Sequence, residues 1–320
     1  MSALPIISRE GKPREKGLTI VSDTFSPLER SIFEQTAEYI DYAKIGLSFP
    51  LMVERPKLAE KVRYYHDLGI RVMSGGTLMQ VAHKKGIVQA VLDHLRSTGF
   101  DTVELSESAI PIPNENMRAI LDKINALSME YFIEVGSKNP QGSSATFLIS
   151  KIDEALALGS PKVVIESGGE GSWSSFYNSN GEISWDVLNE IVGRFGPPRL
   201  VFEAPQARQR SSLILEFGPH VNFAGVPIGE IMLLEMQRLG LTVETLGLSP
   251  SVQSVDGSPA SKFVYFLIKS EHPIDQATLA QRSGLPKRTL QAALGYLVQN
   301  GLVREIPDMS DLRKHRYTLR

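Results

Sequence analysis

Acidic residues recur along this chain at the ends of short apolar runs, and two lysines lie near them in the sequence. The acids are Asp23, Glu104, Glu134, Glu166 and Glu203, and the lysines are Lys44 and Lys138. Carboxylates that share one site repel one another, and a bound magnesium ion relieves that repulsion. These residue types therefore predict carboxylate chemistry assisted by Mg²⁺.

Eight apolar runs alternate with amphipathic helical segments, and six of them carry or closely precede these residues. The runs are residues 18–22, 42–46, 70–74, 102–106, 131–135, 162–166, 199–203 and 221–225. Strand–helix units of about 30 residues indicate parallel pairing. We therefore predict an α/β fold, a closed (β/α)8 TIM barrel, with an open doubly wound sheet as the alternative. The strands of such a barrel end at one mouth, where active sites form. A competing interpretation is that the Glu and Lys side chains merely pair inside the barrel.

Glycine-rich loops follow two of the predicted strands. Gly75, Gly76 and Thr77 lead into a helix, and Gly168 begins a second glycine-rich stretch. Backbone amides at a helix N-terminus attract anions. We expect the first loop to bind the substrate's anionic group, although a Gly-Gly pair before a helix is also common in ordinary tight turns.

Composition limits the other possibilities. The 320 residues contain no cysteine, which excludes disulfides, a thiol nucleophile and cysteine-ligated metal sites. No signal-like segment and no apolar run of membrane-spanning length is present, so we expect a cytoplasmic protein without membrane contact. We also expect a homo-oligomer. Residues 258–320 carry a net charge of +5 and the rest of the chain −7, which indicates two units with different tasks.

The predicted organisation has four parts. Residues 1–16 are polar and are expected to form a loosely held arm, and residues 17–248 form the barrel. Residues 249–258 lack periodicity and indicate a linker before a small domain at 259–320. In that domain the pattern predicts three helices followed by a β-hairpin.

The barrel segment resembles the phosphosulfolactate synthase family of coenzyme M biosynthesis. The matching motifs, in order, are GLTIVSD (17–23), DYAKIG (41–46), GIRVMSGGTL (69–78), GFDTVELS (99–106), EVGSK (134–138), VVIE (163–166), FEAPQ (202–206) and VNFA (221–224). The resemblance implies a barrel that adds sulfite to phosphoenolpyruvate with Mg²⁺.

The resemblance, together with the positions of charged residues at the ends of the predicted strands, assigns roles to individual residues. By its position in EVGSK, Lys138 is similar to the family's general acid, with Glu134 beside it and Lys44 as a further catalytic residue. The expected metal ligands are Glu104, Glu166, Glu203 and Asp23, and the expected substrate-binding residues are Gly75, Gly76, Thr77, Gln206, Arg208 and Asn222.

The tail resembles a winged helix-turn-helix domain of the archaeal and multiple-antibiotic-resistance-regulator kind. The resemblance rests on residues 279–303 and 311–319, and it implies binding of double-stranded DNA. Lys287, Arg288 and Gln291 are expected to enter the major groove, and Arg313, Lys314 and Arg316 on the wing to contact phosphates. A winged helix used for dimerisation or protein contact is the alternative.

Two functional hypotheses follow. The first is an enzyme of the phosphosulfolactate synthase type with an accessory winged helix, and Glu134, Lys138 and Glu203 favour it. The second is a transcription regulator whose barrel senses an anionic metabolite. The basic tail favours this second hypothesis, as does the loss of family-typical basic residues, for which this chain has Thr24, Gly168 and Ala207.

Overall fold

The computed structural model describes residues 9–23, 30–136, 144–168, 176–246, 248, 257–271, 273–307 and 315–319. The chain divides into two compact units, Met1–Leu248 and Ser249–Arg320. No helix in these described ranges is long and apolar enough to cross a membrane.

The first unit contains a closed barrel of eight parallel strands. The strands are β1 (Thr19–Asp23), β2 (Tyr42–Ile45), β3 (Arg71–Ser74), β4 (Thr102–Ser106), β5 (Glu130–Val135), β6 (Val163–Ile165), β7 (Leu200–Glu203) and β8 (Asn222–Pro227). Each strand pairs with its neighbour in the sequence, and β1 pairs with β8 to close the barrel. The predicted TIM-barrel architecture is therefore confirmed, and the open sheet is excluded.

Helices connect successive strands and cover the outside of the barrel. They are α1 (Arg30–Thr36), α2 (Arg55–Asp67), α3 (Gly76–Lys85), α4 (Val88–Thr98), α5 (Asn114–Ala126), α6 (Ala145–Ala157), α7 (Trp185–Phe195), α8 (Ala207–Phe217) and α9 (Ile231–Arg238). Short 3-10 helices lie at Ala37–Tyr39, Phe49–Leu51, Pro197–Arg199, Ile228–Glu230 and Val243–Thr245.

Side-chain alternation along the strands decides which residues reach the barrel interior. Successive residues of a strand point to opposite faces. In β2, Tyr42 belongs to the small apolar cluster inside the barrel, whereas Ala43 belongs to the large core between strands and helices. Lys44 therefore points inward again, one layer above Tyr42. The same alternation turns the glutamates of β4, β5 and β7 into the interior.

The N-terminal arm is anchored rather than loosely held over its described part, residues 9–16. The Arg9 guanidinium lies 2.7 Å from a carboxylate oxygen of Glu235 in α9, and Arg14 lies 3.1 Å from Asp41, which precedes β2. All four side chains are almost fully buried. The expectation of a loose arm is thus wrong for these residues, because its arginines find buried acidic partners at the N-terminal end of the barrel.

The second unit has its own apolar core. It consists of α10 (Pro259–Glu271), β9 (Ile274–Asp275), α11 (Gln276–Ser283), α12 (Lys287–Gln299), β10 (Val303–Pro307) and β11 (His315–Leu319). The strands form an antiparallel sheet in the order β10-β11-β9. The three predicted helices and both hairpin strands are present, and the short strand β9 was not predicted. The predicted linker falls mostly on residues 249–256, which lie outside the described residues.

Candidate active site

Lys44 is the centre of a buried charge cluster at the C-terminal mouth of the barrel. Its Nζ atom lies 2.9 Å from carboxylate oxygens of Glu104 and of Glu203, and 3.7 Å from Glu134 Oε2. The four residues come from β2, β4, β7 and β5, and each is at most 9% exposed. Strand alternation therefore brings together side chains that are far apart in the sequence.

Glu166 completes the group of carboxylates in the mouth. One carboxylate oxygen each of Glu134, Glu166 and Glu203 lies within 4.8 Å of the others. The residues that follow β6 hold two of these carboxylates in place. The Ser167 amide and hydroxyl donate to Glu203 Oε2 at 3.2 Å, and the Gly168 amide donates to Glu166 Oε1 at 3.1 Å.

A glycine at the end of β5 makes room for Glu166. Gly136 has φ +141, and a Cβ at this position would lie 2.6 Å from the Glu166 Cβ. Real Cβ atoms do not approach so closely, and side-chain-bearing residues rarely adopt this φ. Gly136 is therefore required for the close approach of the two strand ends.

Burial and charge act in opposite directions on these groups. Burial lowers the pKa of Lys44, but Glu104, Glu203 and Glu134 more than offset it and hold that pKa well above the usual value. Burial raises the pKa of Glu104 to about 8, although Lys44 opposes the shift. Burial also favours the neutral form of Glu203, but Lys44 and the hydrogen bonds from Ser167 reverse this and lower its pKa.

The donor set of the mouth fits a magnesium ion. Among the described residues, four carboxylates share this region with one ammonium group, so the site carries excess negative charge even when Glu104 is protonated. Mg²⁺ prefers oxygen ligands and is commonly bound through one or two carboxylates, with water or substrate at its other positions. Glu134, Glu166 and Glu203 are the residues whose oxygens are close enough together to hold it.

Asp23 does not join this group, which corrects its predicted role as a metal ligand. It is the last residue of β1, and its Oδ2 accepts a hydrogen bond from Tyr65 at 2.7 Å and lies 2.6 Å from Lys61 Nζ. Tyr65 and Val21 both belong to the core between the barrel and its helices. Asp23 has the same strand parity as Val21, so its side chain points away from the interior.

The glycine loop after β3 is occupied by a carboxylate of the protein itself. The Gly76 amide, at the start of α3, donates to Glu104 Oε1 at 2.9 Å, and the Gly75 amide donates to the Ile45 carbonyl at 3.1 Å. A Cβ on Gly76 would lie 2.6 Å from the Ser106 Cβ. Gly76 therefore positions Glu104, Gly75 ties the loop to the end of β2, and Thr77 follows in the first turn of α3.

Gln206 and Arg208 lie at the N-terminus of α8, directly after the strand that carries Glu203. Gln206 forms a capping box with Gln209, which satisfies amides of the first helical turn. The exposed Arg208 donates from Nε to Gln206 Oε1 at 2.8 Å and from its guanidinium to the Asn180 carbonyl. Both residues are thus at the mouth end of the barrel, with Gln206 serving as a helix cap.

Asn222 lies at the opposite end of the barrel, and its predicted contact with substrate is corrected. It is the first residue of β8 and is fully buried. Its Oδ1 accepts from the Leu18 amide at 2.9 Å, and its Nδ2 donates to the Leu200 carbonyl at 2.9 Å. The amide group therefore ties together the beginnings of three strands.

Two residues near the site were missed by the sequence analysis. Ser167 was not singled out, although it directly follows Glu166. Tyr177 is buried and donates to the Glu203 carbonyl at 3.0 Å, so it supports the end of β7. No sequence signal indicates that a tyrosine 26 residues away supports this strand end. Lys138, the predicted general acid, lies outside the described residues.

In the second unit, three of the predicted DNA-contacting residues are exposed on α12. These are Lys287, Arg288 and Gln291, all in the first two turns of the helix. Arg316 is also exposed, on β11, where it is paired in register with Asp275. Arg313 and Lys314 lie outside the described residues.

Comparison with known proteins identifies similar sequences over the barrel. A model of the family described as (2R)-phospho-3-sulfolactate synthase (ComA) matches residues 7–244. The phosphosulfolactate synthase of Methanothermobacter thermautotrophicus is 31% identical over 244 residues, which cover 75% of this chain and 95% of that protein. Those of Methanocaldococcus jannaschii and Bacillus subtilis are each 30% identical, covering 73% and 77% of this chain and 95% and 97% of those proteins.

Proposed function

Because the chain belongs to the (2R)-phospho-3-sulfolactate synthase family, we propose that it catalyses the Mg²⁺-dependent addition of sulfite to phosphoenolpyruvate. The observation that carries this proposal is the group of Glu134, Glu166 and Glu203, with oxygens within 4.8 Å of one another at the mouth of the barrel. Lys44 contacts two of these carboxylates, Glu134 and Glu203, from the side of β2.

The reaction forms one carbon–sulfur bond and one carbon–hydrogen bond, and no group leaves. The sulfur lone pair of sulfite attacks the methylene carbon of phosphoenolpyruvate, and the double-bond electron pair moves toward the carboxylate. A proton then reaches the carbon that bears the phosphate, which gives phosphosulfolactate. Mg²⁺, when bound, stabilises the negative charge that develops on the substrate carboxylate.

The protein's own residues position the charges and supply the proton in this proposal. Lys44 fixes Glu104 and Glu203, and the Gly76 amide fixes Glu104 from the other side. Lys138, four residues after Glu134 in the EVGSK motif, is the proton donor. A positioned general acid contributes about 10² to 10⁴ in rate.

Consumption of phosphoenolpyruvate by the purified full chain tests this function. We expect turnover that requires both sulfite and Mg²⁺, and that stops when a chelator is added. Absence of turnover in the complete mixture, or turnover without sulfite, would overturn the proposal.

Two carboxylate variants test the assignment of the metal ligands. Replacing a residue that only supports a metal ligand lowers metal affinity by about 10- to 100-fold. Glu166 is proposed as a ligand itself, so Glu166→Gln should weaken Mg²⁺ binding at least tenfold. Asp23→Asn should leave Mg²⁺ affinity unchanged, because Asp23 pairs with Lys61 and Tyr65 on the outer face of β1. Isothermal titration of both folded variants measures the difference, and equal losses would contradict the assignment.

We also propose that the second unit is a winged helix that contacts double-stranded DNA. The support comes from the order of three helices with a β-hairpin and from the exposed Lys287, Arg288 and Gln291 at the start of α12. The proposed phosphate contacts are Arg316 on β11, together with Arg313 and Lys314, which lie outside the described residues. The metabolite-sensing regulator remains the alternative for the whole chain, and it requires DNA binding without turnover in the barrel.

Salt dependence tests the proposed DNA contact. For the full chain, log affinity should fall with log salt by about 0.9 for each phosphate contacted. Replacing Arg313 and Lys314 by alanine should flatten this slope by roughly 1 to 2 units, whereas Arg288→Ala should mainly reduce sequence selectivity. The control is Lys262→Ala, an exposed lysine on α10. No duplex binding at about 50 mM salt would remove DNA as the partner.

A further inference from the structure

We propose that the N-terminal end of the barrel, opposite the carboxylate mouth, contains a binding site for a small dianionic oxyanion. A cavity of about 250 Å³ opens there between the N-terminal arm and the beginnings of β2 and β3. Its charged lining residues are Lys12, Arg14, Arg71 and Asp41, so three cations face the cavity with one carboxylate.

Lys12 is the residue of this cavity whose charge is least compensated. Its Nζ donates to the Gly69 carbonyl at 2.9 Å, and among the described residues it has no carboxylate within ion-pair distance. Burial lowers the pKa of Lys12 to about 8, with Asp41 opposing the shift. An ammonium group has three donors, so Lys12 retains capacity for an anion.

Asp41 compensates Lys12 only in part, because each of its oxygens accepts a hydrogen bond from another group. Oδ1 accepts from the Arg14 guanidinium at 3.1 Å, and Oδ2 accepts from the Thr19 amide at 2.8 Å. Arg14 also donates to the Glu38 carbonyl at 2.7 Å. The carboxylate thus holds the arm and β1 together and leaves the charge of Lys12 only partly compensated.

Arg71 forms the opposite wall of the cavity. It lies over the Tyr42 ring, 4.4 Å from the ring centroid, and pairs with Glu130 at 2.7 Å. Stacking and pairing fix the plane of the guanidinium. Arg71 also donates to the Tyr42 hydroxyl. An oxyanion in the cavity would therefore meet the Lys12 ammonium beside the positive charge of a guanidinium whose orientation is fixed. A sulfate, an inorganic phosphate or a small phosphorylated or sulfonated acid has the charge that this arrangement requires.

Sulfate is the suitable probe because its charge does not change over the pH range in which Lys12 titrates. We expect saturable binding to the full chain at pH 7 by isothermal titration. Lys12→Met should weaken it at least about tenfold, since a charge-assisted hydrogen bond is lost, and Arg71→Gln should weaken it as well. The control Lys16→Met should bind as the parent does, because Lys16 pairs with Glu10 outside this cavity.

Binding should also weaken as the pH rises from about 7 to 9.5, because Lys12 loses its proton near its pKa of about 8. The charges that act on Lys12 are those of Asp41 and Glu38, which favour the proton, and of Arg14 and Arg9, which disfavour it.

Sulfate bound in the catalytic mouth would give a different result. Lys138→Ala should leave the site at the N-terminal end intact, so its sulfate affinity should equal that of the parent. Equal affinities of Lys12→Met and Lys16→Met, loss of binding in Lys138→Ala, or no saturable binding at all would each overturn this proposal.

Discussion

Replacing Lys44 by methionine is expected to lower turnover of phosphoenolpyruvate and sulfite by at least about 10², the weight of one electrostatic group in an active site. The same change should destabilise the fold by about 3 to 5 kcal/mol at pH 7, because removal of one partner leaves buried charge without compensation. Glu104 and Glu203 each lie 2.9 Å from the ammonium group that would be lost.

The pH dependence of this loss follows from the direction of the pKa shifts. In the parent, Lys44 and Ser167 hold the pKa of Glu203 below its usual value despite burial. The stability that this lowered pKa contributes is fully present above the pKa of Glu203 in the unfolded chain, and it is lost as pH falls. Without Lys44, burial prevails and raises the pKa of Glu203. The variant should therefore regain stability at acidic pH and lose it as pH rises.

Lys61→Met provides a matched control for Lys44→Met. Lys61 is also a largely buried lysine, and its Nζ lies 2.6 Å from Asp23 on the outer face of β1. Its loss should destabilise the protein without reducing turnover of the folded fraction. Added Mg²⁺ should restore stability to Lys44→Met but not to Lys61→Met, because only the first change leaves carboxylates unbalanced in the mouth. The same response of both variants to Mg²⁺ would contradict the role of Lys44 in balancing the carboxylates of the mouth.

The second large effect is expected for Lys138→Ala, which should lower kcat by about 10² to 10⁴ if Lys138 is the general acid. Thermal unfolding and Mg²⁺ affinity should remain those of the parent, because the carboxylates and Lys44 are untouched. Lys123→Ala is the control, since this α5 lysine is exposed and contacts Gln89. Equal kcat for Lys138→Ala and the parent would remove Lys138 from the mechanism.

The strand repeat in the sequence was sufficient to predict the barrel, and the position of an acid at a strand end was sufficient to predict most of the mouth. Lys44 and Glu203 meet there because both occupy inward-facing positions near the C-terminal ends of their strands, β2 and β7. In the sequence, the apolar run before Asp23 looks the same as the runs that carry the acids of the mouth. Only the alternation of Ile20 inward and Val21 outward shows that Asp23 points outward, and a run of buried apolar residues does not indicate which face is which.

Other contacts were not predictable because they join distant parts of the chain. The Gly76 amide meets Glu104, 28 residues away, so a loop expected to bind an external anion binds an internal one. The similarity of the VNFA motif to the family indicated that Asn222 matters, but not that it lies at the N-terminal end of the barrel. Likewise, the composition of the arm did not indicate that Arg9 reaches Glu235.

The most direct test of the proposed reaction is the isotopic composition of its product in deuterated water. Phosphoenolpyruvate, sulfite and Mg²⁺ are incubated with the full chain, and the product is examined by mass spectrometry and NMR. We expect phosphosulfolactate of a single handedness, with one deuterium on the carbon that bears the phosphate and none on the carbon that bears the sulfonate. Folded protein that binds Mg²⁺ and yields no carbon–sulfur product would contradict it, as would a product that contains no deuterium.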